Sequence, residues 1–282
     1  MGEILQETEL ANFIVNNLRS SLSSIGFSQE FLDALLSDLR NISVENFGKK
    51  WREELGNKYI IGFFQKIVPK YFSDYIVPVT PTSRKIIDVG CGTGILAKLY
   101  AEDKRFERVV GIDINPYPEW KIFWNEKIKF EVVDEATFPN FLLEEKPDSV
   151  VLTWTLHHME YDEQERYFEY IHDYLPSGAG IIILEDSYSK NLIPENGKEK
   201  YEEFMKWGPE QRREIMSVYD WVANRVLAQR SKVPMPCTYR SLEDWDILLE
   251  KKRFKMITQK FIGFPDNRDI NTPQSLIVAR RN

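Results

Sequence analysis

The stretch Lys85–Leu99, "KIIDVGCGTGILAKL", decides the fold. A short β-branched run is followed by Gly90, Gly92 and Gly94, and then by residues at helical spacing. Glycine gives up side-chain packing for backbone freedom. A glycine turn between a strand and a helix presents backbone N–H groups and a helix N-terminus to a ligand. In the dinucleotide fingerprint the glycines fall as G-x-G-x-x-G, so that pyrophosphate meets the helix dipole. Here the third position holds Ile95, and Asp88 stands two residues before the first glycine. A carboxylate at that point repels a pyrophosphate and attracts an ammonium or a sulfonium.

Outward from this turn, residues 83–187 alternate strand and helix signals. "RKIIDVG", "RVVGIDI", "KIKFEVVD", "DSVVLTWTL" and "GAGIIILEDS" are β-branched runs bounded by turn residues. "ILAKLYAED", "FPNFLLEEK" and "DEQERYFEYIHDYL" lie between them, with an ill-defined piece around residues 116–125. Alternation of this kind predicts a parallel sheet covered on both faces. "FKMITQKFIGF" and "SLIVARR" add two strands near the end of the chain.

The chain before residue 83 reads as helices, with Leu10, Phe13, Ile14 and Leu18 on one face, then Ser28 as an N-cap. An aromatic-rich segment, residues 59–72, follows. Residues 188–240 form a second helical stretch, in which Pro209 takes a first helical position after Gly208. Ser241 and Asp244 then make a capping-box pattern. The expected organisation is an N-terminal helical cap over 1–82, a core of 83–187 with 241–282, and a helical lid insertion over 188–240.

The motif set resembles the class I S-adenosylmethionine-dependent methyltransferases, whose first motif is a strand, (D/E)-x-G-x-G-x-G and a helix. The resemblance covers most of the alternating region. It implies a Rossmann-like, doubly wound, mostly parallel seven-stranded sheet with a terminal antiparallel strand. In that family the acid ending the second strand, here Asp113, binds both ribose hydroxyls. The acid ending the third strand, here Asp134, contacts the adenine amino group. The implied cofactor contacts are therefore Asp88, Gly90, Cys91, Gly92, Gly94, Asp113, Ile114, Asp134, Glu135 and Thr153, with Cys91 acting through its backbone. "TWTLHHM" ends the fourth strand as in the branch that includes quinone-biosynthesis methyltransferases, so residues 153–158 face the reacting methyl.

Two of the three histidines, His157 and His158, fall in that stretch. Histidine titrates near neutrality, so either suits a general base; the resemblance favours His158. Glu185, Asp186 and Tyr188 are further candidates for holding a substrate. His172 reads as a helix-surface residue. No His, Asp or Glu set has metal-ligand spacing, so no metal is expected. The Pro236-Cys237 pair lies too far downstream to be a cytosine-type nucleophile.

Composition narrows the partners. Of 282 residues, 43% are hydrophobic and 29% charged, as in an ordinary globular chain, and the formal net charge is −7. A protein working on a phosphate backbone usually carries a basic field, so nucleic acid is disfavoured. The aromatics of 188–240 suit an apolar or aromatic small-molecule acceptor. Two distant cysteines, an acidic N-terminus and the lack of a ~20-residue apolar run suggest a cytoplasmic protein without a membrane partner, monomeric or homodimeric. The expected activity is transfer of a methyl group to an O, N or C atom of a small molecule. RNA or protein methylation, and a non-catalytic S-adenosylmethionine-binding sensor or partner protein, are the alternatives.

Overall fold

The structure, a computed structural model, describes residues 8–24, 26–41, 50–51, 67–228, 230–265 and 272–282. Most of the aromatic segment 59–72 lies outside the described residues. The helices of eight or more residues are α1 (Thr8–Ser24), α2 (Gln29–Asn41), α3 (Ile95–Glu102), α4 (Phe138–Glu145), α5 (Tyr161–Tyr174), α6 (Lys198–Met205), α7 (Pro209–Trp221) and α8 (Leu242–Lys251). The strands are β1 (Ser83–Val89), β2 (Phe106–Asp113), β3 (Ile128–Val132), β4 (Ser149–Thr153), β5 (Gly180–Asp186), β6 (Phe254–Gly263) and β7 (Gln274–Arg281).

The strands form one seven-stranded sheet in the order β3-β2-β1-β4-β5-β7-β6. β1 pairs in parallel with β2 and β4, β2 with β3, and β4 with β5, while β7 runs antiparallel to β5. This is the expected Rossmann-like sheet with an antiparallel strand. β4 and β5 are buried along their whole length, which accounts for their continuous apolar runs. Strand order reverses between β1 and β4, so the crevice beyond their carboxyl ends is where a doubly wound sheet binds its ligand.

Contacts divide the chain into two compact units. One holds residues 68–193, 238–262 and 274–282, and so contains the sheet apart from Gly263. In it α3 buries Leu96, Ala97 and Tyr100. α5 buries Gln164, Tyr167, Phe168 and Ile171, and its start carries a capping box of Glu160 and Glu163. α8 starts at Ser241, whose hydroxyl accepts from the Asp244 N–H at 3.2 Å, as the sequence predicts. The other unit is made of residues 1–67, 194–237 and 263–273. In it α1 packs against α2 and α7, with Phe13 and Trp207 rings 5.7 Å apart. Pro209 opens α7 after Gly208. Among the described residues no helix is long and apolar enough to cross a membrane.

Candidate active site

The glycine turn links β1 to α3. Gly90, Gly92 and Gly94 all have positive φ, at 70°, 52° and 83°. At Gly90 the absent side chain also matters, because a Cβ there would lie 1.9 Å from Thr155 Oγ1. At Gly94 it would lie 2.4 Å from Cε1 of Phe130 on β3. The turn is thus pressed between the residues after β4 and the middle of β3, and only glycine fits.

Asp113 ends β2 and ties the turn to it. Its Oδ2 accepts from the Gly92 N–H at 3.0 Å, and its Oδ1 accepts from the Asn115 N–H at 3.0 Å. The Cys91 N–H donates to Ile112 O at 2.9 Å, a second tie between the turn and β2. Ile114, next to Asp113, is 45% exposed.

Asp88 is buried, and its Oδ2 has no hydrogen-bond partner among the described residues. Burial, then the nearby Asp113 charge, pushes its carboxyl up to about 8. Thr153, at the end of β4, is also buried with an unpartnered Oγ1. It follows Leu152, which pairs with Val89 across the β1–β4 junction. Two orphaned buried polar atoms therefore flank the glycine turn. Buried groups of this kind are rare without a partner, so a ligand bearing donors fits here.

Asp134 and Glu135 sit differently. Asp134 is exposed and accepts from Thr137 N–H at 2.9 Å and Thr137 Oγ1 at 2.7 Å, which forms the turn into α4. Those bonds hold its carboxyl below the usual range. Glu135 is engaged by Arg166 of α5 through both carboxylate oxygens, the Nη2–Oε2 distance being 3.1 Å.

The turn after β4 carries the histidines. Trp154 has φ 50°, a left-handed conformation strained for a non-glycine residue, and its Nε1 donates to Gln274 Oε1 at 2.6 Å. His157 is buried, and its Nδ1 lies 2.5 Å from Oε1 of Glu185 at the end of β5. Glu185 is also buried; its Oε2 accepts from Leu156 N–H at 2.7 Å and its Oε1 from Asp186 N–H at 2.8 Å. The His157 ring stacks 5.5 Å from Tyr239 and lies 4.1 Å from that of His158, which is half-buried. Glu185 is thus committed to the histidine turn. Asp186 accepts from the Gln274 amide. His172, read from the sequence as a surface residue, is half-buried on α5: its ring packs 5.7 Å from that of Phe254, and its Nδ1 meets Asp173 and Arg253.

Several residues at this site escape the motif reading. Trp120 donates from Nε1 to Gly92 O at 2.8 Å and stacks on Phe130 at 5.3 Å, bracing the glycine turn. Gly111 in β2 leaves room for the same ring, since a Cβ there would stand 2.6 Å from Phe130. Gln164 is fully buried; its amide donates to Leu156 O at 2.8 Å and Thr238 Oγ1 at 2.9 Å, and accepts from Arg240 Nε at 2.7 Å. Thr238 Oγ1 in turn donates to Met159 O, so both ends of the histidine turn are pinned. The signal for Gln164 was in the sequence: it occupies the first position of the stripe Gln164, Tyr167, Phe168, Ile171, where an apolar residue belongs. Trp120 falls in a stretch with no readable period.

Residues 58–232, more than half of the chain, match the model of a family described as "Methyltransferase domain". No curated protein sequence matches the chain. Among solved structures it is similar to a SAM-dependent methyltransferase from Anabaena variabilis, with 12% identity and TM-score 0.52 over 86% of this chain and 96% of that one. It is similar also to a SAM-dependent methyltransferase from Archaeoglobus fulgidus, with 13% identity and TM-score 0.50 over 79% and 97%. A third likeness is to a chain from the complex of the Haloferax volcanii Trm112 methyltransferase activator with a methyltransferase, with 13% identity and TM-score 0.52 over 79% and 95%. At these identities the likeness is one of fold. The family match and the sheet order together make the conclusion plain: the chain belongs to the methyltransferase-domain family, as a class I enzyme that uses S-adenosylmethionine.

Proposed function

We propose that the enzyme methylates an O, N or C atom of a small-molecule acceptor by a metal-independent, in-line displacement. The observation that carries the cofactor half is the pair of orphaned buried atoms, Asp88 Oδ2 and Thr153 Oγ1, beside the glycine turn. On this reading they receive the amino-acid end, with the backbone of Gly90, Cys91, Gly92 and Gly94 close by. Asp113 accepts from the ribose hydroxyls. Ile114 covers one face of the adenine, and Asp134 and Glu135 border its edge, Glu135 held there by Arg166. S-adenosylmethionine supplies a methyl group activated by its sulfonium.

The chain's own part is to orient the acceptor, exclude water and take up a proton where the acceptor carries one. His157 and His158 are the groups suited to the last task. The Glu185 contact at Nδ1 favours His157 with its proton on that nitrogen, which leaves Nε2 as the ring's basic atom. Glu185 thereby moves from substrate contact to holding His157. The catalytic core on this reading is 83–187 with 241–282, and 1–82 and 188–240 are helical additions to it. The acidic balance of −7 supports a small molecule over RNA. Two cysteines far apart in sequence, Cys91 and Cys237, suit a cytoplasmic setting.

The test is methyl transfer from radiolabelled S-adenosylmethionine to pooled small-molecule extracts, set against bulk tRNA and protein. Label in the small-molecule fraction, lost in His157→Asn, is the expected result. Label confined to tRNA or protein contradicts the proposed acceptor class.

A further inference from the structure

Asp88 is a buried acid with one oxygen unsatisfied and no cation to pair with among the described residues. Of the ionisable side chains on the elements packed against it, few act on it; Glu107 and Arg108 of β2 and Lys98 and Glu102 of α3 are not among them. β2 contributes Asp113, a like charge, and α3 contributes the Tyr100 phenol, itself tied to Thr80 Oγ1 at 3.1 Å. The turn contributes the buried Cys91 thiol, and β4 contributes none. The Ala97 backbone N–H, at the start of α3, favours the charged form, but less than burial and Asp113 oppose it. A carboxylate in such a setting is costly, and protonation removes the cost.

We propose that cofactor binding at this site is a cation exchange: the empty enzyme holds Asp88 as the neutral acid, and the incoming α-ammonium displaces its proton. The exchange balances as a carboxylic acid plus an ammonium ion giving a carboxylate–ammonium pair and one proton released to solvent. It rests on the reading above that the amino-acid end of the cofactor meets Asp88. Its origin is the place of this acid beside the glycine turn, where among the described residues no side-chain cation pairs with it. Asp113 matters twice, because the charge that keeps Asp88 neutral also tethers Gly92 and shapes the turn. The carboxyl's position near 8 makes the exchange visible at ordinary pH. Below it, affinity for an ammonium-bearing ligand rises with pH by up to about tenfold per unit, and above it the dependence fades.

Titration calorimetry of the full chain tests this with S-adenosylhomocysteine, in buffers of differing ionisation enthalpy between about pH 6 and pH 9. The expected result is release of close to one proton per ligand at the acid end, falling toward none at the alkaline end. 5′-Methylthioadenosine, which lacks the amino-acid end, is expected to bind without that release, and Asp88→Asn to abolish it. Binding of S-adenosylhomocysteine with no proton exchange across the range overturns the proposal, as does release that persists in Asp88→Asn. If that variant fails to fold, the wild-type comparison of the two ligands still decides. Absence of any binding by folded wild type instead contradicts the cofactor site itself, and the proposal falls with it.

Discussion

At Gly94 two separate physical demands coincide. Its φ of 83° costs a side-chain-bearing residue about 1–3 kcal/mol. A Cβ there would also strike the Phe130 ring at 2.4 Å, and overpacking of that kind adds about 1–3 kcal/mol. Gly26 has a φ of 97° with nothing within 4 Å of where a Cβ would stand, so it bears the first demand alone. Gly94→Ala is therefore expected to lower the urea midpoint more than Gly26→Ala, and to weaken S-adenosylhomocysteine binding, which Gly26→Ala leaves intact. Equal midpoints for the two variants would contradict the close approach of Phe130 to the turn. The glycines, Asp88 and Asp113 were legible in the sequence because each ends or follows a strand and the chemistry dictates its type. The Phe130 and Trp120 contacts were not, since they join residues distant in sequence whose patterns read only as core.

Among the elements, the turn after β4 depends on bonds from three directions. β5 supplies Glu185, α5 supplies Gln164, and the segment before α8 supplies Thr238 and Arg240. A buried amide satisfied at every atom stabilises a turn; cutting it leaves donors and acceptors stranded. Gln164→Leu, near in volume, would remove the bonds to the Leu156 carbonyl and the Thr238 hydroxyl and take away the acceptor of the Arg240 Nε–H. The expected cost is about 1–3 kcal/mol or more, read from urea unfolding. A variant as stable as wild type would show that this amide does not hold the turn. At this scale the sequence displayed the strands and most helices, because period-2 and period-3.6 patterns survive without knowledge of the partner. It left Glu185 among possible substrate contacts, since a strand-end acid reveals its partner only when the neighbouring strand is placed.

The whole molecule joins a seven-stranded sheet to a chain of helical additions, and each part has its own legibility. Alternation and right-handed crossovers predict a parallel sheet covered on both faces, and the family resemblance of the glycine turn and strand-end acids implies the seven-stranded form with its antiparallel strand. The acceptor could not be read, because no motif in the sequence names it. A net charge of −7 directs the reading to small molecules, a statement about long-range fields and not about fold. The central claim is that S-adenosylmethionine lies across the carboxyl ends of β1, β2 and β4. A crystal structure of the S-adenosylhomocysteine complex tests it most directly. The account predicts the ribose hydroxyls on Asp113 and the amino group within hydrogen-bond reach of Asp88 or Thr153. A ligand seated elsewhere, or with its amino-acid end away from the Gly90–Gly94 turn, would contradict it.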